Sequence, residues 1–121
     1  MISEAREQII VLMSAAAIDF VSLCDELGLL IDAPPACDDE ARAHVERTLT
    51  DGYAHAMSLE ARRLKLERQI GAVASEVSIA QRGARTEELQ ELSTHLARTT
   101  DDLQQLRRLL AALRRRVSAA A

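Results

Sequence analysis

Aromatic residues are almost absent from this 121-residue sequence, which has one phenylalanine, one tyrosine and no tryptophan. It also has only four glycines and two prolines, and the two prolines, Pro34 and Pro35, are adjacent. Because the glycines never cluster, a glycine-rich phosphate-binding loop is excluded. The shortage of aromatic rings also argues against stacking on nucleic-acid bases.

Cysteine is scarce as well. Cys24 and Cys37 are the only two, and they form neither a CxxC motif nor any spacing typical of a zinc site. A chain rich in helix-forming residues needs no disulfide scaffold. We therefore expect two reduced thiols in a cytoplasmic protein.

The sequence has no long uncharged hydrophobic run. Its most apolar segment extends from Ile9 to Leu30, but the longest uncharged stretch within it, Gln8 to Ile18, has eleven residues, where a membrane span needs about twenty. Residues 1–8 carry two glutamates and one arginine instead of the basic start of a secretion signal. Neither a membrane helix nor a signal peptide is expected.

Helix-forming residues make up most of the remainder, including seventeen leucines and twenty-one alanines. This composition predicts an all-α fold, and a core of Leu and Ala suits narrow bundles and coiled coils. We predict an elongated three-helix up-down-up bundle with a long antiparallel coiled-coil hairpin. The predicted helices span residues 3–31, 38–82 and 86–118.

Heptad repeats of apolar residues support the second and third helices. The second seam is Val45, Leu49, Gly52, Ala56, Leu59, Arg63, Leu66, Ile70, Val73, Val77, Ala80 and Ala84. The third is Leu89, Leu92, Leu96, Thr99, Leu103, Leu106, Leu110, Leu113 and Val117. Since the second register continues across Thr50 to Gly52, one long helix with a weak point there is favoured. The segment Thr99 to Asp102 resembles a restart signal and suggests a kink.

Pro34 and Pro35 predict the end of the first helix. Gly83 predicts the end of the second, because glycine adopts the left-handed conformation that terminates helices. Thr86, followed by two glutamates, predicts the N-cap of the third.

The predicted helices differ in length, at about 40, 65 and 50 Å for a rise of ~1.5 Å per residue. Three-helix packing is then restricted to roughly residues 1–31, 38–66 and 103–121, and residues 67–102 would project as a two-helix arm of a single domain. Residues 1–58 carry eleven acidic and three basic residues, whereas residues 59–121 carry eight acidic and twelve basic residues. Opposite charges on the two halves favour packing of one half on the other.

The first helix carries two adjacent apolar stripes, more than one neighbouring helix can cover. An apolar face of that width indicates an interface, either with a second copy of the chain or with a partner's helix. Leu29, Leu30 and Ile31 beside the two prolines would form the end of a groove. The residues predicted for this partner or dimer interface are Ile10, Met13, Ala17, Phe20, Val21, Cys24, Leu27, Leu30 and Ile31.

Catalysis is not expected, because no serine lies in a nucleophile elbow and a narrow helical rod rarely offers a concave pocket with converging polar groups. The acid–histidine pairs Glu40/His44, Asp51/His55 and Glu91/His95 are each one helical turn apart. They lack the Glu-x-x-His spacing of di-metal bundles, so ordinary surface pairs are expected. We predict no enzyme activity, no metal, no cofactor and no small-molecule ligand.

A basic patch provides the alternative function, a nucleic-acid-associated regulatory protein. Its members are Arg62, Arg63, Lys65, Arg68, Arg107, Arg108, Arg114, Arg115 and Arg116. The net charge of −4 counts against this alternative. In layout the chain resembles small bacterial helical adaptors and secretion or flagellar export chaperones, a likeness of topology that assigns no residue a role. The favoured hypothesis is a non-catalytic protein–protein interaction module, an adaptor, chaperone-like or assembly protein, that acts as a homodimer.

Overall fold

The computed structural model describes residues 19–36, 38–76 and 82–120, and within these residues every regular element is an α-helix and there is no strand. Helix α1 covers residues 19–32, α2 covers Asp39–Glu76 and α3 covers Arg82–Ala120. The prediction of an all-α fold with packed helices is confirmed. The first part of the predicted helix 3–31 lies outside the described residues. No helix in the described part of the chain has the length and hydropathy needed to cross a bilayer.

Helix α2 begins where the sequence indicates. The side-chain Oδ1 of Asp38 accepts a hydrogen bond from the amide of Ala41 at 2.6 Å, and its carbonyl accepts one from the amide of Arg42 at 3.1 Å. Asp38 is thus the N-cap, and the acidic Asp39 and Glu40 of the first turn favour the positive end of the helix dipole.

Helix α2 is continuous through Thr50 and Gly52, so the prediction of one long helix is confirmed. The hydroxyl of Thr50 donates to the carbonyl of Glu46 at 2.9 Å, which satisfies this polar side chain within the helix. Helix α3 is likewise unbroken across Thr99 and Asp102.

The predicted start of the third helix is wrong. Helix α3 begins at Arg82 instead of residue 86, so Gly83 and Thr86 lie inside it and neither ends nor caps a helix. A single glycine costs a helix only about 1 kcal/mol relative to alanine. The strong helix formers around it, together with an ion pair between Arg85 and Glu88 at 3.2 Å, outweigh that cost. The predicted second helix extends to residue 82, but residues 77–81 lie outside the described part.

In the described residues, every buried apolar side chain of α2 and α3 stands at a heptad seam position. Every seam leucine is buried or half-buried, whereas Leu64, which lies off the seam of α2, is 47% exposed. The fully buried leucines are Leu27, Leu49, Leu103, Leu106 and Leu113. Burying one such side chain contributes roughly 1.5–3 kcal/mol, and these leucines belong to the cores of the two units of the chain.

The chain divides into two compact units. Unit 1 consists of residues 1–52 and 109–121, and its core contains Phe20, Leu27, Leu49, Leu110 and Leu113. Unit 2 consists of residues 53–108, with a core of Leu59, Leu66, Val73, Thr99, Leu103 and Leu106. The projecting arm at residues 67–102 stays a prediction.

Candidate interaction groove

A groove with a volume of about 590 Å³ lies in unit 1 beside the connection between α1 and α2. Its apolar lining consists of Leu30, Pro34, Pro35, Val45, Leu113 and Val117, together with Ala33, Ala36 and Ala41. Leu30, Val45 and Val117 are only half-buried, so the groove exposes apolar surface to solvent. A concave apolar surface of several hundred Å³ is typical of a binding site for a ligand or a partner's side chains.

Polar side chains at the groove come from α2 and α3: Arg42, His44, Glu46 and Arg116. Arg42 and Glu46 are exposed, and neither has an ion-pair partner among the described residues. They can therefore form hydrogen bonds with a bound partner around an apolar centre, the usual arrangement of a protein interface.

Two polar contacts hold the walls of the groove in place. The Nε2 of His44 on α2 lies 2.6 Å from the Oε1 of Glu26 on α1. The guanidinium of Arg116 on α3 donates to the carbonyl of Ala33 in the connection. The first contact joins α1 to α2 and the second joins the connection to α3, so the segments that line the groove are linked by polar contacts.

A close approach of two helices lies in the core of the same unit. A Cβ atom added to the buried Gly52 of α2 would stand 2.5 Å from Cδ2 of Leu110 on α3. Ordinary carbon–carbon contacts are about 3.5–4.0 Å. Glycine at position 52 therefore allows Leu110 to pack directly against the α2 backbone, so the residue interpreted as a weak point is a packing residue.

The predicted interface residues fall into four groups. Phe20 and Leu27 lie in the core of this chain, with 8% and 0% of their surface exposed. Cys24, Leu30 and Ile31 are half-buried, and Val21 is 56% exposed. Ile10, Met13 and Ala17 lie outside the described residues, as does Cys37. Among the members of the predicted set that the structure describes, Leu30 alone lines the groove.

The predicted basic patch is partly neutralised within the chain. Arg63 on α2 and Arg107 on α3 both lie 2.5 Å from the carboxylate of Glu60, which bridges them. The Nε of Arg63 is buried and has no hydrogen-bond partner among the described residues. Arg116 is engaged with the Ala33 carbonyl.

The other members of the patch differ in exposure. Arg62 is half-buried, and the exposed members are Lys65, Arg68, Arg108, Arg114 and Arg115. Arg62, Arg63, Lys65, Arg68, Arg107 and Arg108 belong to unit 2, whereas Arg114, Arg115 and Arg116 belong to unit 1.

Histidine pairing differs from expectation at one site. His44 pairs with Glu26 of α1 instead of Glu40, its neighbour one turn earlier on α2. The sequence spacing could not show this, because the observed contact depends on how α1 packs on α2. In the described part of the chain, no three His, Cys, Asp or Glu side chains form a group suited to a metal ion.

Asp102, in the segment interpreted as a restart signal, is half-buried in unit 2. Burial raises the pKa of its carboxyl above the ordinary value, and the adjacent Asp101 raises it further. The positive charges of Arg62, His55 and Arg98 act in the opposite direction.

Two groups of surface residues were missed by the sequence interpretation. The sequence predicts Val45, Leu113 and Val117 only as residues of the heptad seams, but they also line the groove. Tyr53, Met57 and Leu64 are exposed apolar residues outside the predicted interface. Their spacing of four and seven residues is a helical periodicity that could have identified them.

The groove can bind apolar side chains at its centre and form hydrogen bonds at its edge. Within the described part of the chain, the lining of the groove contains no serine, threonine or cysteine that could act as a nucleophile. The chain matches no protein-family model, no curated protein and no solved structure.

Proposed function

We propose that this protein is a non-catalytic protein–protein interaction module that acts as a homodimer and binds a helical segment of a partner in the unit 1 groove. The observation that carries the proposal is the groove itself, with half-buried Leu30, Val45 and Val117 open to solvent. An amphipathic helix inserts apolar side chains at one-turn intervals, and a groove of this kind provides the surface that covers them.

The polar side chains at the groove favour a peptide partner. Arg42 and Glu46 carry opposite charges, and both are exposed at the groove. Charges of both signs match the mixed polar side of an amphipathic helix, and they set its orientation more than its affinity.

In finer detail we propose an up-down-up bundle with an antiparallel coiled-coil hairpin. In unit 2, Glu60 pairs with Arg107, while Arg62, two residues further along α2, is close enough to Asp102 to affect its pKa. Residue numbers thus rise along α2 as they fall along α3. Burial of the heptad positions supports coiled-coil packing of the two helices.

Affinity capture from cells that contain the native protein tests the groove. Ala41 is half-buried and lines the groove, whereas Ala43 is exposed and does not. Both lie early in α2, where a glutamate favours the helix dipole. Ala41→Glu is therefore expected to remain folded but to place a charge inside the groove, and Ala43→Glu is its matched control.

We expect at least one partner protein to be captured by the wild type and by Ala43→Glu but not by Ala41→Glu. Val117→Glu, with Ser118→Glu as its control, repeats the comparison on α3, because Val117 lines the groove and Ser118 is exposed. Retention of the same proteins by all four variants would contradict binding in the groove.

The second candidate function, a nucleic-acid-associated regulatory protein, is favoured by Arg114 and Arg115. Both are exposed, and neither has an ion-pair partner among the described residues. Arginines of this kind can neutralise phosphates, which would make binding to nucleic acid strongly dependent on salt.

A further inference from the structure

The part of α2 that belongs to unit 2 has an exposed apolar stripe in addition to its buried seam. Tyr53, Met57 and Leu64 have 43%, 75% and 47% of their surface exposed. On a helix of 3.6 residues per turn, positions separated by four and seven residues lie on one face. The buried Leu59 and Leu66 lie on a different face, so this stripe is not covered by the core of unit 2.

Small and basic residues complete the stripe. Ala61 is exposed between Met57 and Leu64, and Arg68 is exposed one turn beyond Leu64. The Arg68 Nε lies 3.4 Å from the Leu64 carbonyl of its own helix. Small residues between larger apolar ones allow two helices to approach closely.

The stripe is symmetric about a point between Glu60 and Ala61. Met57 and Leu64 are equally far from that point along the helix, one on each side, and so are Tyr53 and Arg68. In an antiparallel pair of helices centred on this point, Met57 faces Leu64 and Tyr53 faces Arg68 of the identical chain, and each of these contacts occurs twice, as in an isologous two-fold interface.

We propose that the stripe binds the same stripe of a second copy in antiparallel orientation, which names the surface of the homodimer proposed above. Met57 then packs against Leu64 of the second copy, and Leu64 against its Met57. Tyr53 presents its ring to Arg68 of the second copy, a cation–π contact. Parallel association would instead place each Arg68 beside another Arg68, which like-charge repulsion disfavours.

Sedimentation equilibrium over about 1 µM to 1 mM protein tests the surface. The wild type is expected to approach the mass of a dimer as concentration rises. Met57→Glu places an unpaired carboxylate against Leu64 of the second copy, so it is expected to raise the dissociation constant at least about tenfold. Because Met57 is exposed, this substitution leaves the core intact, and circular dichroism at low concentration checks its helix content.

Gln69→Glu is the matched control, since residue 69 is exposed on α2 but lies away from the stripe. It adds the same charge and is expected to leave the dissociation constant unchanged. An equal loss of the dimer in Met57→Glu and Gln69→Glu would assign the effect to net charge and would overturn the inference.

Disulfide cross-linking tests the orientation in a Cys24→Ser, Cys37→Ser background. Ala61→Cys lies next to the two-fold point and is expected to form a covalent dimer on oxidation. Ser75→Cys is exposed on the same helix, but in the antiparallel arrangement it lies far from its counterpart and should not cross-link. Cross-linking of Ser75→Cys as well would indicate parallel association and would contradict the inference.

The remaining outcomes separate this inference from the proposed function. A dimer that survives Met57→Glu but is lost with Ala41→Glu would place self-association in the groove, which overturns the α2 surface but keeps the homodimer. A monomer at every concentration would overturn both the surface and the homodimer. The capture experiment would still decide partner binding in the groove, because it does not depend on residue 57.

Discussion

Replacing Gly52 by alanine tests the packing of α2 against α3 in unit 1. Two effects oppose each other in this variant. Alanine is favoured over glycine in a helix interior by about 0.8–1.0 kcal/mol. Its Cβ would, however, lie 2.5 Å from Cδ2 of Leu110, a side chain that is only 2% exposed and cannot turn towards solvent. Overpacking of a core costs about 1–3 kcal/mol, so we expect a net loss of up to about 2 kcal/mol.

Gly71 provides a matched control on the same helix. No atom of the described residues lies within 4 Å of a Cβ added there, so Gly71→Ala is expected to stabilise the protein by about 0.8–1.0 kcal/mol. The two alanine substitutions should therefore have opposite signs and differ by about 1–3 kcal/mol. Urea denaturation followed by circular dichroism, at one fixed protein concentration because of self-association, gives both values.

A double-mutant cycle with Leu110→Ala identifies the cause. Truncating Leu110 removes the atoms that a Cβ at position 52 would meet, so Gly52→Ala should become stabilising in that background. If Gly52→Ala stabilised the wild type as much as Gly71→Ala does, the close approach of the two helices would be refuted.

Three further predictions concern charge. Because the folded-state pKa of Asp102 is raised above its ordinary value of 3.8, its ionised form weakens folding at neutral pH, and this cost disappears as the pH falls through the raised pKa. Asp102→Asn should therefore raise the free energy of unfolding at pH 7, and this gain over the wild type should be smaller in acid. Urea denaturation of both proteins at several pH values measures the difference. Glu60→Ala leaves two guanidiniums together without their carboxylate, so it should lower the free energy of unfolding by about 0.5–1 kcal/mol, a small effect because the pairs are partly exposed. Finally, we expect that DNA and RNA columns do not retain the wild type in a salt-sensitive way. The nucleic-acid function would be favoured if the columns retained it at low salt and retained it less when Arg114 and Arg115 become alanine.

The sequence predicted the helices and the buried faces of α2 and α3 because both follow from local periodicity. Leu49, Leu59, Leu103 and Leu106 stand at heptad positions, and each is buried. The start of α2 was also predictable, since Asp38 is an N-cap residue followed by acidic residues. These features need no knowledge of the neighbouring helix.

Features that depend on a neighbouring helix were not predictable. Gly52 was interpreted as a weak point because its role becomes visible only when Leu110 is placed against it. Gly83 predicts a helix end but lies inside α3, because a single glycine costs too little to stop a helix among strong helix formers. The partner of His44 is distant in sequence for the same reason.

The groove was predicted only at its edge. The sequence predicts Leu29, Leu30 and Ile31 beside the two prolines as the end of a groove. Leu30 and the prolines line the one observed, whereas Leu29 and Ile31 are not among its described lining residues. Its other wall comes from Leu113 and Val117 at the far end of the chain, and periodicity within one helix cannot show that these residues meet the proline connection.

The central claim, that a partner binds in the unit 1 groove, is tested most directly by amide hydrogen exchange on the wild-type protein with and without the captured partner. Partner binding in the groove predicts slower exchange in residues 30–46 and 110–118, which contain the groove lining, with no change in residues 85–100 of unit 2. Protection confined to unit 2, or no protection at residues 30–46, would contradict it.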